Sequence, residues 1–555
     1  MGDGVIPEAV LAELPPSSRP SAVYTGHDGF SPLGPILFEV DRAPDPASLP
    51  ADGGATLRVF DVTAGVEVPI RAEISEEAAR RGGHVVVAWP RTRFEFGHRY
   101  VAALTDRLVP LGGGAYRPSP GFAEAIRGGL SPLGLRYGLL RLYLAWRGIR
   151  AADLVSATYF TVRSEADATD PLRSMAATAY ARPHPVRDVR ALPNLFGIFG
   201  ASVSTIVVGE VQVTDFRDAR GEIHHRAGDQ GTPRWLDFLL TVPRSAAHRP
   251  APVAVYGHGI TMVKETMIVV TEANAARGVA TIAIDQPNHG SRAASEGGLI
   301  QELARPEHVG RLQSIIIQSS IDQVSVLRAV ETSLADLDVV NPRPWSVGVP
   351  DGRADLDPGR VLYEGTSMGG VLGSAFTAVA PTVEGSAFQV TGAGIMNILT
   401  HSRVWEDLAP GVGFRDAVPQ TANGAEALAL VAGLQFAIDG GDGLTVAHRY
   451  RRPYPATGAK SVLVLYGVGD GVVFNPSSEA LAAVAGLPLL ERSVYPIPGL
   501  PVVPELPADG SAVYQIDTSG IPGPLRPSLA HISFLGREPM RVLGEWLDHV
   551  LEAGG

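Results

Sequence analysis

Two grammars of hydrophobic spacing divide the chain. From residue 21 to about 125, short β-type runs ("PILFEV", "ATLRVFDV", "HVVVAW", "RYVAALT") are separated by Pro- and Gly-rich turns. Strands of that length and spacing predict a small all-β sandwich. Residues 126–185 turn helical, with leucines three and four positions apart, and are expected to form a helical connector. From 186 to 555 strand-like runs alternate with helical stretches: "STIVVGEVQV", "WLDFLLTVP", "APVAVYGHG", "VATIAIDQPNHG", "RVLYEGTSMGG", "SAFQVTGAG" and "SVLVLYGVGD". The later runs are continuous and apolar, as strands covered on both faces must be. Parallel strands with helical crossovers follow as the economical arrangement, and the fold class is α/β. Residues 1–20 are expected to form an N-terminal tail.

Within this frame "VLYEGTSMGGVLGSAF" sets Ser367 between Gly365 and Gly369, after an apolar run and before a helix-compatible one. That is the context a G-x-S-x-G nucleophile turn requires, because side chains at the flanking positions would collide with neighbouring backbone. A Gly-rich turn before a helix is the competing reading of the motif alone. A serine hydroxyl needs a base to accept its proton, and the base needs an orienting acid. Among 14 histidines, His531 in "PSLAHISF" lies beyond the last strand candidates and just before the final helix "EPMRVLGEWLDHVLEA". Asp470 follows the strand "SVLVLYG", at the C-terminal strand end where open α/β sheets build their sites.

The order Ser367, Asp470, His531, together with "YGHGI" after an earlier strand, resembles the α/β-hydrolase fold family over roughly residues 204–555. The resemblance implies a mostly parallel sheet covered by helices, with Ser367 as nucleophile, Asp470 as acid and His531 as base. His258 and Gly259 match the family's oxyanion loop, with backbone donors at Ile260 and at Met368, directly after the nucleophile. It departs from the family in having Thr366 where histidine is common, no glycine run after His258, and no glycines flanking His531. The pattern "GPILFEVDRAPDPASL" followed by "WPRTRFEFGHRYVAALTDRL" resembles the Ig-like modules of exported bacterial proteins. About 70 residues separate "QVTGAG" from "SVLVLYG", and a helical cap bearing Trp405, Phe414 and Phe436 is expected within 397–455. A plain helical elaboration that never touches substrate is the alternative.

Composition narrows the chemistry further. Hydrophobic residues are 45% and charged residues 19%, as in a folded globular chain, and the absence of cysteine excludes disulfides, thiolate metal sites and cysteine nucleophiles. A net charge of −12 argues against a nucleic-acid or anionic-membrane partner. The apolar stretch "LGLRYGLLRLYLAWRGI" carries Arg136, Arg141 and Arg147 and is too short and charged to span a bilayer, so no transmembrane segment is expected. Packing onto a core is favoured for it over a surface-binding role. No basic n-region precedes an apolar core at the N-terminus, so no signal peptide is read there. The Ig-like resemblance implies a secreted, periplasmic or cell-envelope protein, with the cytoplasm left open.

Metal readings are weak. His258, His289 and Asp285 lack a tight helical ligand pair and are expected to shape loops. Asp351, Asp355 and Asp357, in "DGRADLDPGR", are calcium candidates against a solvated turn. "DGGDG" at 439–443 reads as a turn. The expectation is a cofactor-free serine hydrolase of carboxylic esters (esterase or lipase) acting on small-molecule, lipid or polymeric esters, with oligomeric state open. The alternatives are a serine peptidase of the same fold and a non-catalytic binding protein with a degenerate site.

Overall fold

The computed structural model describes the chain apart from residues 1–7, 13, 15–18, 20–22, 227, 294–297, 306–310, 344–347, 408–412 and 554–555. Most of the expected tail 1–20 therefore lies outside the described residues. The chain divides into two compact units, one of Met1–Ala168 with Arg415–Asp439, the other of Thr169–Phe414 with Gly440–Gly555.

Among the described residues the first unit holds seven strands: β1 (Ile36–Glu39), β2 (Leu57–Asp61), β3 (Val66–Glu67), β4 (Ile70–Ile74), β5 (Val85–Pro90), β6 (Arg99–Thr105) and β7 (Leu154–Thr161). They form two antiparallel sheets, β1-β5-β4 and β3-β2-β6-β7. Phe38, Val59, Val86, Tyr100 and Ala102 share one buried core. Alternate residues of β5 and β6 point the other way, and both strands are nearly all buried because those outer faces are covered too. Val85, Val87 and Trp89 pack with Ala78 and with Leu428 of the helix Gly424–Ile438. Val101 and Ala103 pack with Ile126, Leu140 and Leu144 of the helices Pro120–Arg127 and Pro132–Trp146. Two features differ from the sequence reading. Residues 154–161, placed in the connector, are a strand paired to β6. The Gly424–Ile438 helix, placed in the cap, belongs to this unit, where its Phe436 packs against Tyr24 and beneath the Arg163 guanidinium.

The second unit is built on an 11-stranded sheet in the order β17-β16-β18-β15-β14-β13-β11-β12-β10-β9-β8. Its strands are β8 (Val186–Pro193), β9 (Val203–Asp215), β10 (Thr232–Pro243), β11 (Ala251–Gly257), β12 (Ala280–Ile284), β13 (Leu356–Thr366), β14 (Val383–Gln389), β15 (Ser461–Gly467), β16 (Leu489–Leu490), β17 (Val502–Val503) and β18 (Ala512–Ile516). From β12 through β17 all neighbours are parallel, while β8, β9 and β10 pair antiparallel. Counted from β9 to β18 without the two short strands, the order is 1-2-4-3-5-6-7-8 with the second strand reversed. That is the α/β-hydrolase arrangement. β11 and β12 are buried at every position, which explains their unbroken apolar runs. The helix Leu312–Glu331 is buried almost all round. The final helix Arg537–Ala553 lays Val542, Leu543, Trp546 and Leu547 on the other side of the core.

Several of the polar groups enclosed by these layers are paired. Arg292 donates to Asp322 at 2.7 Å and to the Asp285 carbonyl at 2.8 Å, with both side chains of the ion pair buried. Gln318 donates to Asp322 at 2.7 Å and to the Thr214 carbonyl at 2.9 Å, tying the Leu312–Glu331 helix to β9. Removing one partner leaves an unpaired buried charge. Asp322→Ala is expected to cost about 3–5 kcal/mol of unfolding free energy, and Asp322→Leu combined with Arg292→Met to recover most of it. Chemical denaturation followed by tryptophan fluorescence checks both.

Candidate active site

Ser367 occupies the junction of β13 and the helix Met368–Val379, with φ 55° and ψ −121°. A non-glycine residue holds such a conformation only where its surroundings over-determine it. Here they do so through close backbone contact. Register places Gly365 beside Gly257 of β11. A Cβ on Gly365 would lie 2.6 Å from the Gly369 carbonyl oxygen, and one on Gly369 would lie 2.0 Å from the Gly257 oxygen. Ser367 N–H donates to the Gln389 carbonyl at 2.8 Å, and its own carbonyl accepts from Gly370 and Val371. Tyr363, buried below, donates its hydroxyl to the Gly369 carbonyl at 2.6 Å.

The residues picked from the sequence as nucleophile, base and acid converge although 61 and 164 positions separate them from one another along the chain. Ser367 Oγ lies 2.8 Å from His531 Nε2, and His531 Nδ1 lies 2.8 Å from Asp470 Oδ2. The other Asp470 oxygen accepts from the backbone N–H of Val472 at 2.8 Å and Val473 at 3.1 Å. These bonds hold the carboxylate in place. The Asp470 side chain is fully enclosed, whereas His531 keeps partial access. Asp470 lies three residues beyond β15, before the helix Asn475–Ala485. His531 lies in the 3₁₀ turn Ala530–Leu535 after β18. With Nδ1–H donated to Asp470, the Nε2 lone pair faces the serine hydroxyl.

The Met368 N–H opens the helix and has no acceptor within it. Among the described residues the Ile260 N–H also has no backbone acceptor. Both residues line the same cleft as Ser367. The loop carrying Ile260 is pinned by His258 and Asp285, two of the residues expected from the sequence to shape loops. His258, wholly buried, donates Nδ1–H to the Gly259 carbonyl at 2.9 Å, and its Nε2 accepts from Gln286 N–H at 2.9 Å. Burial pushes the His258 imidazole down to about 4, so the ring stays neutral. Asp285 accepts from Lys264 N–H at 2.9 Å and from Ser291 N–H at 3.1 Å, and these bonds with the Lys264 charge hold its carboxyl below the usual range against the effect of burial. "DQPNHG" after β12 supplies Asp285 and His289 to this latch, the loop-shaping role expected for them over a metal site. His289 stacks edge-on to His258 with ring centroids 5.1 Å apart.

The cleft at Ser367 has a volume of about 640 Å³ including its open mouth. Its wall comes from Leu299 and Leu303 of the helix Gly298–Leu303, from Leu312, Ile315 and Ile316, from Val371 and Leu372, and from Ile395, Ile398 and Leu399 of the helix Ile395–His401. Among the described residues, only the start of the expected cap, through Val404, therefore lines the site. Trp405 instead donates its indole N–H to the Leu399 carbonyl at 2.9 Å. The side chain of Phe414 lies outside the described residues. The helices at 298–303 and 312–331 were not assigned to the site from sequence, because their leucines and isoleucines read equally as core.

The calcium candidates serve the backbone separately. Asp355 accepts from Val339 N–H at 2.6 Å and Val340 N–H at 2.9 Å, Asp351 from Arg353 N–H, and Asp357 from Gly359 N–H. Among the described residues no three acidic or histidine side chains gather as a metal site. The segment at 439–443, read as a turn, contains two fully buried carboxylates. Asp439 accepts from Ser31 Oγ at 2.8 Å, and Asp442 accepts from Gly394, Ile395 and Leu444 N–H.

No family model and no curated protein matches the chain. Solved structures resemble it distantly. An acetyl xylan esterase from a Paenibacillus species is 14% identical, covering 62% of this chain and 85% of that one at a TM-score of 0.35. Acetyl xylan esterase 1 from a Thermoanaerobacterium species is 13% identical, covering 66% and 93% at 0.33. Prolyl oligopeptidase B from Galerina marginata is 12% identical, covering 63% and 37% at 0.34. Likenesses this low carry no argument, and the fold rests on the strand order and the turn at Ser367.

Glu364, three residues before Ser367 on β13, is enclosed between Tyr256 and Ala387 of the neighbouring strands. Burial pushes its carboxyl up to about 7, with Asn274 opposing. A raised native value means stability that is complete below the unfolded value near 4.5 and is lost as pH rises through about 7. Glu364→Gln is expected to remove this loss, making the variant more stable than the unmodified chain at pH 8 by up to about 3 kcal/mol relative to their difference at pH 4. Denaturation midpoints across that range measure it.

Proposed function

We propose that the chain is a serine hydrolase of carboxylic esters with an apolar acyl or alcohol group. The observation that carries the ester assignment is the wall of the cleft. Among the described lining residues only Ser367 and Ser402 have polar side chains, and none is charged. A peptide substrate brings several amides that need hydrogen-bond partners on burial, and such a wall offers few. An aliphatic ester needs only the two backbone donors at its carbonyl.

In this mechanism Ser367 Oγ attacks the ester carbonyl carbon while its proton passes to His531 Nε2. The tetrahedral oxyanion accepts from the Ile260 and Met368 N–H groups, aided by the positive end of the Met368–Val379 helix. Asp470 stabilises the imidazolium without taking its proton. The C–O bond to the alcohol then breaks, the alcohol leaves with the proton from His531, and Ser367 is acylated. Water, deprotonated by His531, attacks the acyl carbonyl, releasing the acid and restoring the serine. No cofactor enters these steps.

The strand orders β1-β5-β4 and β3-β2-β6-β7 also support reading the first unit as an Ig-like module. In immunoglobulin lettering they are B-E-D and C′-C-F-G. The helices at 120–127 and 132–146 lie in the connection between the last two strands.

A panel of p-nitrophenyl esters from acetyl to decanoyl tests the assignment. The expected result is a kcat/KM that rises beyond acetyl, with Ser367→Ala lowering kcat by about 10⁴- to 10⁶-fold. Full activity in the alanine variant, or turnover of chromogenic peptides without turnover of esters, would overturn it.

A further inference from the structure

The helix Pro132–Trp146 is anchored by Leu140 and Leu144, buried against the β3-β2-β6-β7 sheet with Phe60 and Val101. Its opposite side is apolar as well. Leu135, Leu139, Leu142 and Trp146 recur at i, i+4, i+7 and i+11, forming one stripe along the helix, and are 55%, 70%, 63% and 69% exposed. Leu130, 96% exposed, and Leu133, 55% exposed, precede the stripe at the N-terminal end. Ordinary exposed leucines are scattered singly, whereas a continuous stripe marks a surface that meets an apolar phase.

Charge identifies that phase. Between residues 124 and 153 the chain carries Arg127, Arg136, Arg141, Arg147 and Arg150 against Glu124 and Asp153, the latter paired with Arg150 at 2.7 Å, which leaves a positive balance. Arg136, exposed, flanks the stripe, and the Arg147 guanidinium lies 5.3 Å from the Trp146 ring centroid. The net charge of −12 is an average over 555 residues, but a surface senses charge only within a Debye length of about 8–10 Å. Over this helix the local sign is positive, which reverses the exclusion of anionic membranes drawn from net charge. Leucines and a tryptophan on the outer side, bordered by arginines, are the makeup of a helix lying in a bilayer interface. A second copy suits the surface poorly. A two-fold contact through the stripe would bring two arginine-bordered surfaces of net positive charge together.

We propose that the Pro132–Trp146 helix docks the protein on an anionic phospholipid surface, with Leu135, Leu139, Leu142 and Trp146 entering the interface and the arginines meeting lipid phosphates. The test is co-sedimentation of the full chain with phosphatidylcholine vesicles containing 0 or 30% phosphatidylglycerol. Binding is expected to the anionic vesicles, to fall with added salt, and to drop at least tenfold in Leu139→Glu/Leu142→Glu. These positions are exposed, so thermal midpoints and near-ultraviolet dichroism should stay unchanged in the variant and separate loss of docking from loss of fold. Arg127→Glu/Arg136→Glu should remove the preference for phosphatidylglycerol. Absence of binding to anionic vesicles, or equal binding by the leucine variant, would overturn the proposal. So would a dimer in light scattering that the leucine variant dissolves without any vesicle binding.

Discussion

The contact on which the second unit depends is the approach of the Gly369 backbone to the Gly257 carbonyl, where even a methyl group would come within 2.0 Å. One close approach does two things. It forces the chain into the sharp turn that holds Ser367 at φ 55°, and it brings the loop after β11 alongside the first turn of the Met368–Val379 helix. The serine hydroxyl and both candidate oxyanion donors are then set by a single packing event. Everything else at the site orients groups toward a point already defined.

The surroundings of that point are polar but closed. His258 is held neutral with both ring nitrogens engaged, Asp285 accepts from two backbone N–H groups, and Arg292 bridges the Asp285 carbonyl to Asp322. Burying these groups is costly unless each is paired, and pairing them fixes the loops they join. The apolar cleft on the other side of Ser367 adds no charge to compete with the triad. A dry wall beside preorganised donors raises the worth of each donor in the transition state.

The chain announced its site more clearly than its architecture, for physical reasons. Gly365 and Gly369 are required by local geometry, so the turn is written in adjacent residues. Asp470 follows the end of β15, and His531 was legible as the histidine between the last strand candidates and the final helix. The helix Gly424–Ile438 could not be placed this way. Its apolar residues state that it is buried but not against what, and its partners Ala78, Val87 and Trp89 lie more than 300 positions away. Strand β7 was hidden for a related reason, since the helices at 120–127 and 132–146 interrupt the β pattern before it. Leu299, Leu303 and Ile316 read as core because a substrate cleft lined by leucine and isoleucine has the composition of a core.

The central claim is that Ser367 is acylated and then released by water. Intact-mass analysis during turnover of a slowly deacylating ester, followed by peptide mapping, tests it most directly. The account predicts one acyl group per chain, carried by the peptide containing Ser367 and disappearing once substrate is exhausted. Turnover without any acyl-enzyme, or an acyl group resident on another side chain, would contradict it.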